Sequence, residues 1–129
     1  MSSSNKIIST TDAPKALGPY AQAIVANGFV FLSGALGVDP KTGQLAEGLE
    51  AQTEQAFTNI KALLKESNSS MSQVVKATVF LKDLNDFNAL NVIYAKHFGG
   101  SVAARSCVEV ARLPLNAVVE IECIATVSA

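Results

Sequence analysis

A chain of 129 residues, 49% hydrophobic and only 16% charged, fits one domain over residues 1–129 that buries roughly two-thirds of its unfolded surface. Its net charge of −1 argues against a nucleic-acid surface, which carries a basic patch, and no apolar run reaches the ~18 residues of a membrane span. The opening Met1-Ser2-Ser3-Ser4-Asn5-Lys6 has neither a secretory apolar core nor an Arg-rich presequence, so a cytoplasmic rather than a mitochondrial protein is expected.

In chain order, Lys6 to Ser9 reads as a short edge strand and Thr10 to Pro19 as a loop punctuated by Pro14, Gly18 and Pro19. Ala21 to Ala26 and Phe29 to Ser33 are strand-like runs joined by Asn27-Gly28, the strongest short hairpin signal. Gly34-Ala35-Leu36-Gly37 lacks the Lys-Ser/Thr of a phosphate-binding loop and reads as a turn, as does Asp39-Pro40-Lys41-Thr42-Gly43. From Leu49 to Glu66 the positions Thr53, Ala56/Phe57, Ile60 and Leu63/Leu64 recur at helical spacing, and Ser67-Asn68-Ser69-Ser70 stops the helix. Val74 to Leu81 is a strand expected to place Val75, Ala77, Val79 and Leu81 on one face. A second helix runs from about Asp86 to Phe98 with Phe87, Leu90, Tyr94 and Phe98 as its stripe, ended by Gly99-Gly100.

Two strands close the chain. In the run from Ala104 to Pro114, Arg105, Cys107 and Glu109 share one face and Ser106, Val108 and Val110 the other. In the last strand Val119, Ile121, Cys123, Ala125 and Val127 form an apolar face with Glu120 and Glu122 opposite. Read as a hairpin, the pair sets a guanidinium beside carboxylates. A cross-strand ion pair of Arg105 with Glu120 or Glu122 and recognition of a small anion both fit that pattern.

The order β-β-β-α-β-α-β-β predicts an α+β fold, a single sheet with two helices. Two helices cover one sheet face only, and the other retains apolar side chains such as Val74, Phe80 and Val108, so a symmetric homo-oligomer with sites at subunit junctions is expected. His97 is the only histidine and is read as a solvent-facing or edge residue. No Cys/His/Asp cluster has ligand spacing, so neither metal nor cofactor is expected. Cys107 and Cys123 read as reduced strand residues rather than a disulfide, and Cys107 as a packed thiol rather than a nucleophile despite Arg105 on its face. Tyr20, on the loop after Gly18-Pro19, could present its hydroxyl to a ligand.

The run Ala104-Arg105-Ser106-Cys107-Val108-Glu109-Val110-Ala111-Arg112-Leu113-Pro114 with Val119-Glu120-Ile121 resembles the signature of the RidA (YjgF/Rid) family of reactive-intermediate deaminases. Gly18-Pro19-Tyr20-Ala21-Gln22-Ala23, Phe31-Leu32-Ser33-Gly34, Val75-Lys76-Ala77-Thr78-Val79-Phe80-Leu81 with Asp83-Leu84-Asn85-Asp86-Phe87, and the Asn91/Tyr94 spacing extend the resemblance over nearly the whole chain. Two positions depart from the family pattern: Ala35 stands where many relatives have Gln, and Ala103 where Pro usually precedes Ala-Arg.

The resemblance implies a chorismate-mutase-like α+β fold with two helices on one face of a mixed sheet, assembled as a homotrimer with active sites between subunits. It implies hydrolysis of 2-iminobutanoate and 2-iminopropanoate, formed from enamines such as 2-aminoacrylate that pyridoxal-phosphate dehydratases release, to 2-oxo acids and ammonia, without a metal or cofactor. On that basis Arg105 holds the substrate carboxylate, Glu120 orients and deprotonates the water, and Cys107 contributes its backbone. Tyr20, Ser33 and Asn91 complete the pocket. The alternatives are an endoribonuclease or translation inhibitor, activities described for family members, and a non-catalytic small-acid-binding or chaperone-like trimer. The chain has no basic stripe or aromatic platform for RNA.

Overall fold

The computed structural model describes residues 5–129; Met1 to Ser4, part of the segment read as free of a targeting signal, lie outside the described residues. The elements follow the expected order: β1 (Lys6–Ile8), β2 (Ala23–Ala26), β3 (Phe29–Leu32), α1 (Leu49–Glu66), β4 (Val74–Leu81), α2 (Phe87–Phe98), β5 (Ala104–Glu109) and β6 (Val119–Thr126). Asn27 and Gly28 both have positive φ, 53° and 86°, as a two-residue turn matched to strand twist requires. That turn sets the β2–β3 register, Ala26 opposite Phe29 and Ala23 opposite Leu32.

The strands form one six-stranded mixed sheet in the order β1-β2-β3-β6-β4-β5, and β4–β5 is its parallel pair. This corrects the expected C-terminal hairpin. β5 pairs with β4, with α2 as the crossover, while β6 inserts between β3 and β4. Parallel strands need a connection long enough to return to the same end of the sheet, and α2 provides it. Among the described residues, no helix is long and apolar enough to cross a membrane.

Both helices lie on one sheet face. Phe57, Ile60 and Leu64 of α1 and Leu90 and Phe98 of α2 pack with Val30, Ala77, Val79, Leu81, Val119, Ile121 and Cys123. Phe57, Ile60, Leu64 and Leu90 are no more than 1% exposed, and each such side chain contributes about 1.5–3 kcal/mol when buried. The alternation expected along β4 holds from Ala77 onward but fails at its start. A bulge between Val74 and Lys76 shifts the register against β6, burying Val74 and turning Val75 outward at 43% exposure. An inserted residue reverses the facing of what precedes it. The face away from the helices carries Phe29, Phe31 and Val108, all partly exposed.

Candidate active site in two halves

The first half is built on a break in β3. Phe31 pairs with Ile124 and Ala35 pairs with Ile121, so three residues, Leu32, Ser33 and Gly34, stand opposite two, Glu122 and Cys123. This is a bulge, and Ala35 rejoins β6 through two backbone hydrogen bonds of 2.7 and 3.0 Å. The segment expected as a plain turn therefore continues the ladder. Bulges re-aim side chains, and here the gap is filled by Glu120. A Cβ on Gly34 would collide with the Glu120 carboxylate, so glycine opens the slot that the carboxylate occupies.

Ser33 closes the same corner: its Oγ donates to the Ala21 carbonyl at 2.6 Å and its N–H to the Gln22 carbonyl at 3.0 Å. Gln22 is 8% exposed. Its Oε1 accepts from the Thr10 N–H at 2.8 Å, and its Nε2 donates among the carbonyls of Thr10, Ala13 and Pro14. That clamp ties down the loop preceding Tyr20, whose side chain remains 56% exposed beside Gly18. Burial holds the Glu120 carboxyl above the ordinary carboxylate range, and the neighbouring Glu122 charge adds to the rise.

The second half lies at the β5 edge, on the helix side of the sheet. Arg105 pairs in register with Ala77 of β4, which is fully buried under the helices. Its guanidinium donates from Nη1 to Asn91 Oδ1 at 2.8 Å and stands 4.7 Å from the Tyr94 ring centroid and 5.4 Å from that of Phe87. Arg has no acceptor, so the Asn91 amide is fixed with Oδ1 toward Arg105 and Nδ2 free to donate elsewhere. An open cavity of about 440 Å³ between the end of α2 and the start of β5 reaches Arg105.

Cys107 follows on the same face, partly buried against the core. Burial pushes its thiol upward in pKa, and the Arg105 charge opposes this only in part. Cys123 is buried and pushed up to about 12, and both cysteines are free. A thiol held protonated is a poor nucleophile.

The two halves do not meet within one chain. Glu120 is in register with Phe80, one residue along β4 from the buried Val79, and so faces away from the helices, whereas Arg105 faces them. The ion pair across a hairpin, left open by the sequence, is thereby ruled out. Ser33 and Glu120 meet at the β3 bulge, with Tyr20 one residue before the Ala21 carbonyl that Ser33 holds, while Asn91, Arg105 and Cys107 lie on the helix side. Sequence reasoning gave Gly34 and Gln22 no role beyond a turn and the family motifs, read Phe87 as core stripe, and read Tyr94 as core stripe and family spacing without linking either ring to Arg105. The 87/91/94 spacing, i, i+4 and i+7, was the signal that these share a helix face with Asn91.

His97 departs from the edge position expected of it. Its side chain is 10% exposed, stacked on Phe57 with centroids 4.5 Å apart, with Nε2 2.6 Å from Glu54 Oε1 and Nδ1 2.8 Å from Lys61 Nζ. Among the described residues, no three His, Cys, Asp or Glu side chains cluster as a metal site.

The family profile described as Endoribonuclease L-PSP matches residues 10–127. The chain is 55% identical over 122 residues to Reactive Intermediate Deaminase A, chloroplastic, of Arabidopsis thaliana, covering 94% of this chain and 65% of that protein. It is 46% identical over 124 residues to the 2-iminobutanoate/2-iminopropanoate deaminase of Salmonella typhimurium, covering 94% and 97%. Among solved structures, a putative endoribonuclease L-PSP from Entamoeba histolytica superimposes with a TM-score of 0.94 at 46% identity, covering 96% of this chain and all of that one.

Proposed function

The chain belongs to the Endoribonuclease L-PSP (YjgF/RidA) family, and from that premise we propose that it is a 2-iminobutanoate/2-iminopropanoate deaminase working as a homotrimer. The observation that carries the reading is the separation of two complementary halves, a cationic anchor at Arg105 and a raised carboxyl at Glu120, on opposite sheet faces. Each half is completed by the other half of a neighbouring subunit. One chain supplies Tyr20, Ser33 and Glu120, and its neighbour supplies Asn91, Arg105 and Cys107. The apolar face bearing Phe29, Phe31 and Val108 is what such an assembly covers.

The chemistry asks little of the protein. Arg105 holds the 2-imino acid carboxylate in a charge-assisted pair worth about 1.5–3 kcal/mol, which places the C=N carbon against the opposite wall. Glu120 takes a proton from water as the oxygen bonds to that carbon and returns it to the nitrogen, giving the carbinolamine. Glu120 then moves the carbinolamine hydroxyl proton to the amino group as the C–N bond breaks, so the 2-oxo acid and ammonia leave with the carboxylate restored. The raised pKa brings the Glu120 carboxyl nearer to neutral pH, where a general base is most effective. Cys107 serves through its backbone beside Arg105, consistent with a thiol that burial keeps protonated. The reaction needs no metal or cofactor, because positioning one water against an already electrophilic carbon supplies most of the gain.

The test generates 2-aminoacrylate with a serine or threonine dehydratase and follows 2-oxo acid formation with and without the protein. Acceleration without added metal is expected, abolished by Arg105→Ala and strongly reduced by Glu120→Gln. A wild-type protein that gives no acceleration overturns the deaminase reading. Binding of a 2-oxo acid without turnover would point to the small-acid-binding trimer, and cleavage of RNA to the ribonuclease.

A further inference from the structure

We propose that Tyr94 and Phe87 are positioning residues for the carboxylate anchor: together with Asn91 they form a cradle on α2 that fixes the plane of the Arg105 guanidinium before substrate arrives. The inference rests on the deaminase reading for its kinetic consequence but not for its structural content.

Arg105 stands on β5, an edge strand of the sheet, paired on one side only. A flexible arginine at a sheet edge would sample many rotamers, and each must be given up when a carboxylate binds. Three side chains of one helix remove that freedom. Asn91 Oδ1 accepts from Nη1 at 2.8 Å, and the Tyr94 and Phe87 rings lie 4.7 and 5.4 Å from the guanidinium carbon. Both distances are within the range at which a ring face attracts a cation. A planar guanidinium stacks on aromatic faces while its in-plane N–H groups remain free for bidentate pairing.

The Tyr94 hydroxyl supplies a separate observation. Among the described residues it is the one buried side-chain polar atom without a hydrogen-bond partner. Tyr94 stacks on Phe98 with centroids 4.5 Å apart and meets Phe57 edge-on. The ring is therefore locked in one orientation from below, and its hydroxyl takes no part in holding it. A ring held by two aromatic neighbours, with a cation against it, is positioned for the cation. Removing the hydroxyl alone leaves the cradle intact, whereas removing the ring does not.

The experiment compares wild type with Tyr94→Leu, Tyr94→Phe and, because Phe87 is 38% exposed and a change there spares the core, Phe87→Leu. Kinetics are read with 2-aminoacrylate supplied by a dehydratase. Rotation about the Arg105 Cζ–Nε bond is read separately by ¹⁵N NMR of the guanidinium, using Arg105→Lys to assign the signal. Tyr94→Leu is expected to raise KM about tenfold with kcat within about twofold, since loss of a uniform binding contact acts on KM. Tyr94→Phe restores KM, and Phe87→Leu raises it about threefold. Guanidinium rotation is slowed in wild type and in Tyr94→Phe and speeds up in both Leu variants. Unchanged KM and unchanged rotation in both Leu variants overturn the cradle. If wild type shows no turnover, the deaminase reading fails while the rotation measurement still decides the cradle. If Tyr94→Leu does not fold, Phe87→Leu decides it in the same two readouts.

Discussion

Glu120 sits half-buried in a slot that exists because residue 34 has no side chain. Burial first, and the Glu122 charge second, raise its pKa, and a raised carboxyl binds a proton in the folded chain at a pH where the unfolded chain has lost it. Folding is then favoured below the unfolded value of about 4.3, and stability declines as pH climbs through the higher folded value. Glu120→Gln removes that decline. The variant is expected to match wild type in Tm near pH 4 and to exceed it by a few degrees near pH 7, with solvent screening of a half-exposed group keeping the gain small. The same substitution removes the proposed base. In wild type, kcat/KM should rise with pH around a midpoint above 4.3, and that limb should be missing from the residual activity of the variant. Equal Tm differences at both pH values would contradict the assigned pKa shift.

At the scale of elements, the clasp between α1 and α2 has a defined response to acid. Lys61 Nζ can only donate, so His97 Nδ1 accepts and Nε2–H donates to Glu54, giving a neutral imidazole. Burial holds the His97 pKa down, opposed by Glu54, while hydrogen bonds from Lys96 and His97 hold Glu54 down. A histidine with a lowered folded pKa contributes stability that is present above its unfolded value of about 6.5 and lost as pH falls below it. The urea midpoint should therefore fall between pH 7 and pH 5, and fall less in His97→Phe, which keeps the stack on Phe57. An identical slope in the variant would place the acid sensitivity elsewhere.

The β3 bulge makes a second demand at this scale. Gly34→Ala should preserve far-UV circular dichroism while cutting kcat/KM by at least about tenfold, because the added Cβ displaces the Glu120 carboxylate rather than the strand. Wild-type activity in that variant would remove Glu120 from the reaction as drawn.

These elements also mark what the chain disclosed. The helical period of Phe57, Ile60 and Leu64 and the Asn27-Gly28 turn are local signals, and the α+β order and the β2–β3 hairpin follow from them. Pairing between distant strands has no local signal. β5 and β6 adjoin in sequence, yet Val110 to Val118, with Pro114 and positive φ at Leu115 and Asn116, is a long excursion rather than a tight turn. The strand–helix–strand pattern of β4, α2 and β5 was the available cue to a parallel pair. Bulges were beyond reach, because one inserted residue leaves the hydrophobic pattern on either side intact. The candidate site residues came from the family resemblance, and nothing in the sequence marked their division between two sheet faces.

For the molecule as a whole, that division sets how the proposed active sites are counted. Arg105 faces the helices and Glu120 faces away from them, so a site that uses both takes them from different chains. The apolar face with Phe31 at 43% exposure should close the assembly, and Phe31→Asp is expected to yield a species of about one subunit mass by sedimentation, with activity lost in the same step. A sharper consequence follows from mixing the two impaired proteins. Arg105→Ala leaves every Glu120 half intact, and Glu120→Gln leaves every Arg105 half intact. In a mixed cyclic trimer one junction of the three always joins an intact Arg105 to an intact Glu120. Equal amounts of the two variants, unfolded together and refolded, should therefore recover roughly a quarter of wild-type activity, since random assembly makes about three-quarters of the trimers mixed. Refolding Arg105→Ala alone should recover none, and Glu120→Gln alone only its small residual activity. If the two residues served a site within one chain, no mixture could restore turnover, so a co-refolded sample as inactive as its parents would refute the shared site even with the trimer intact.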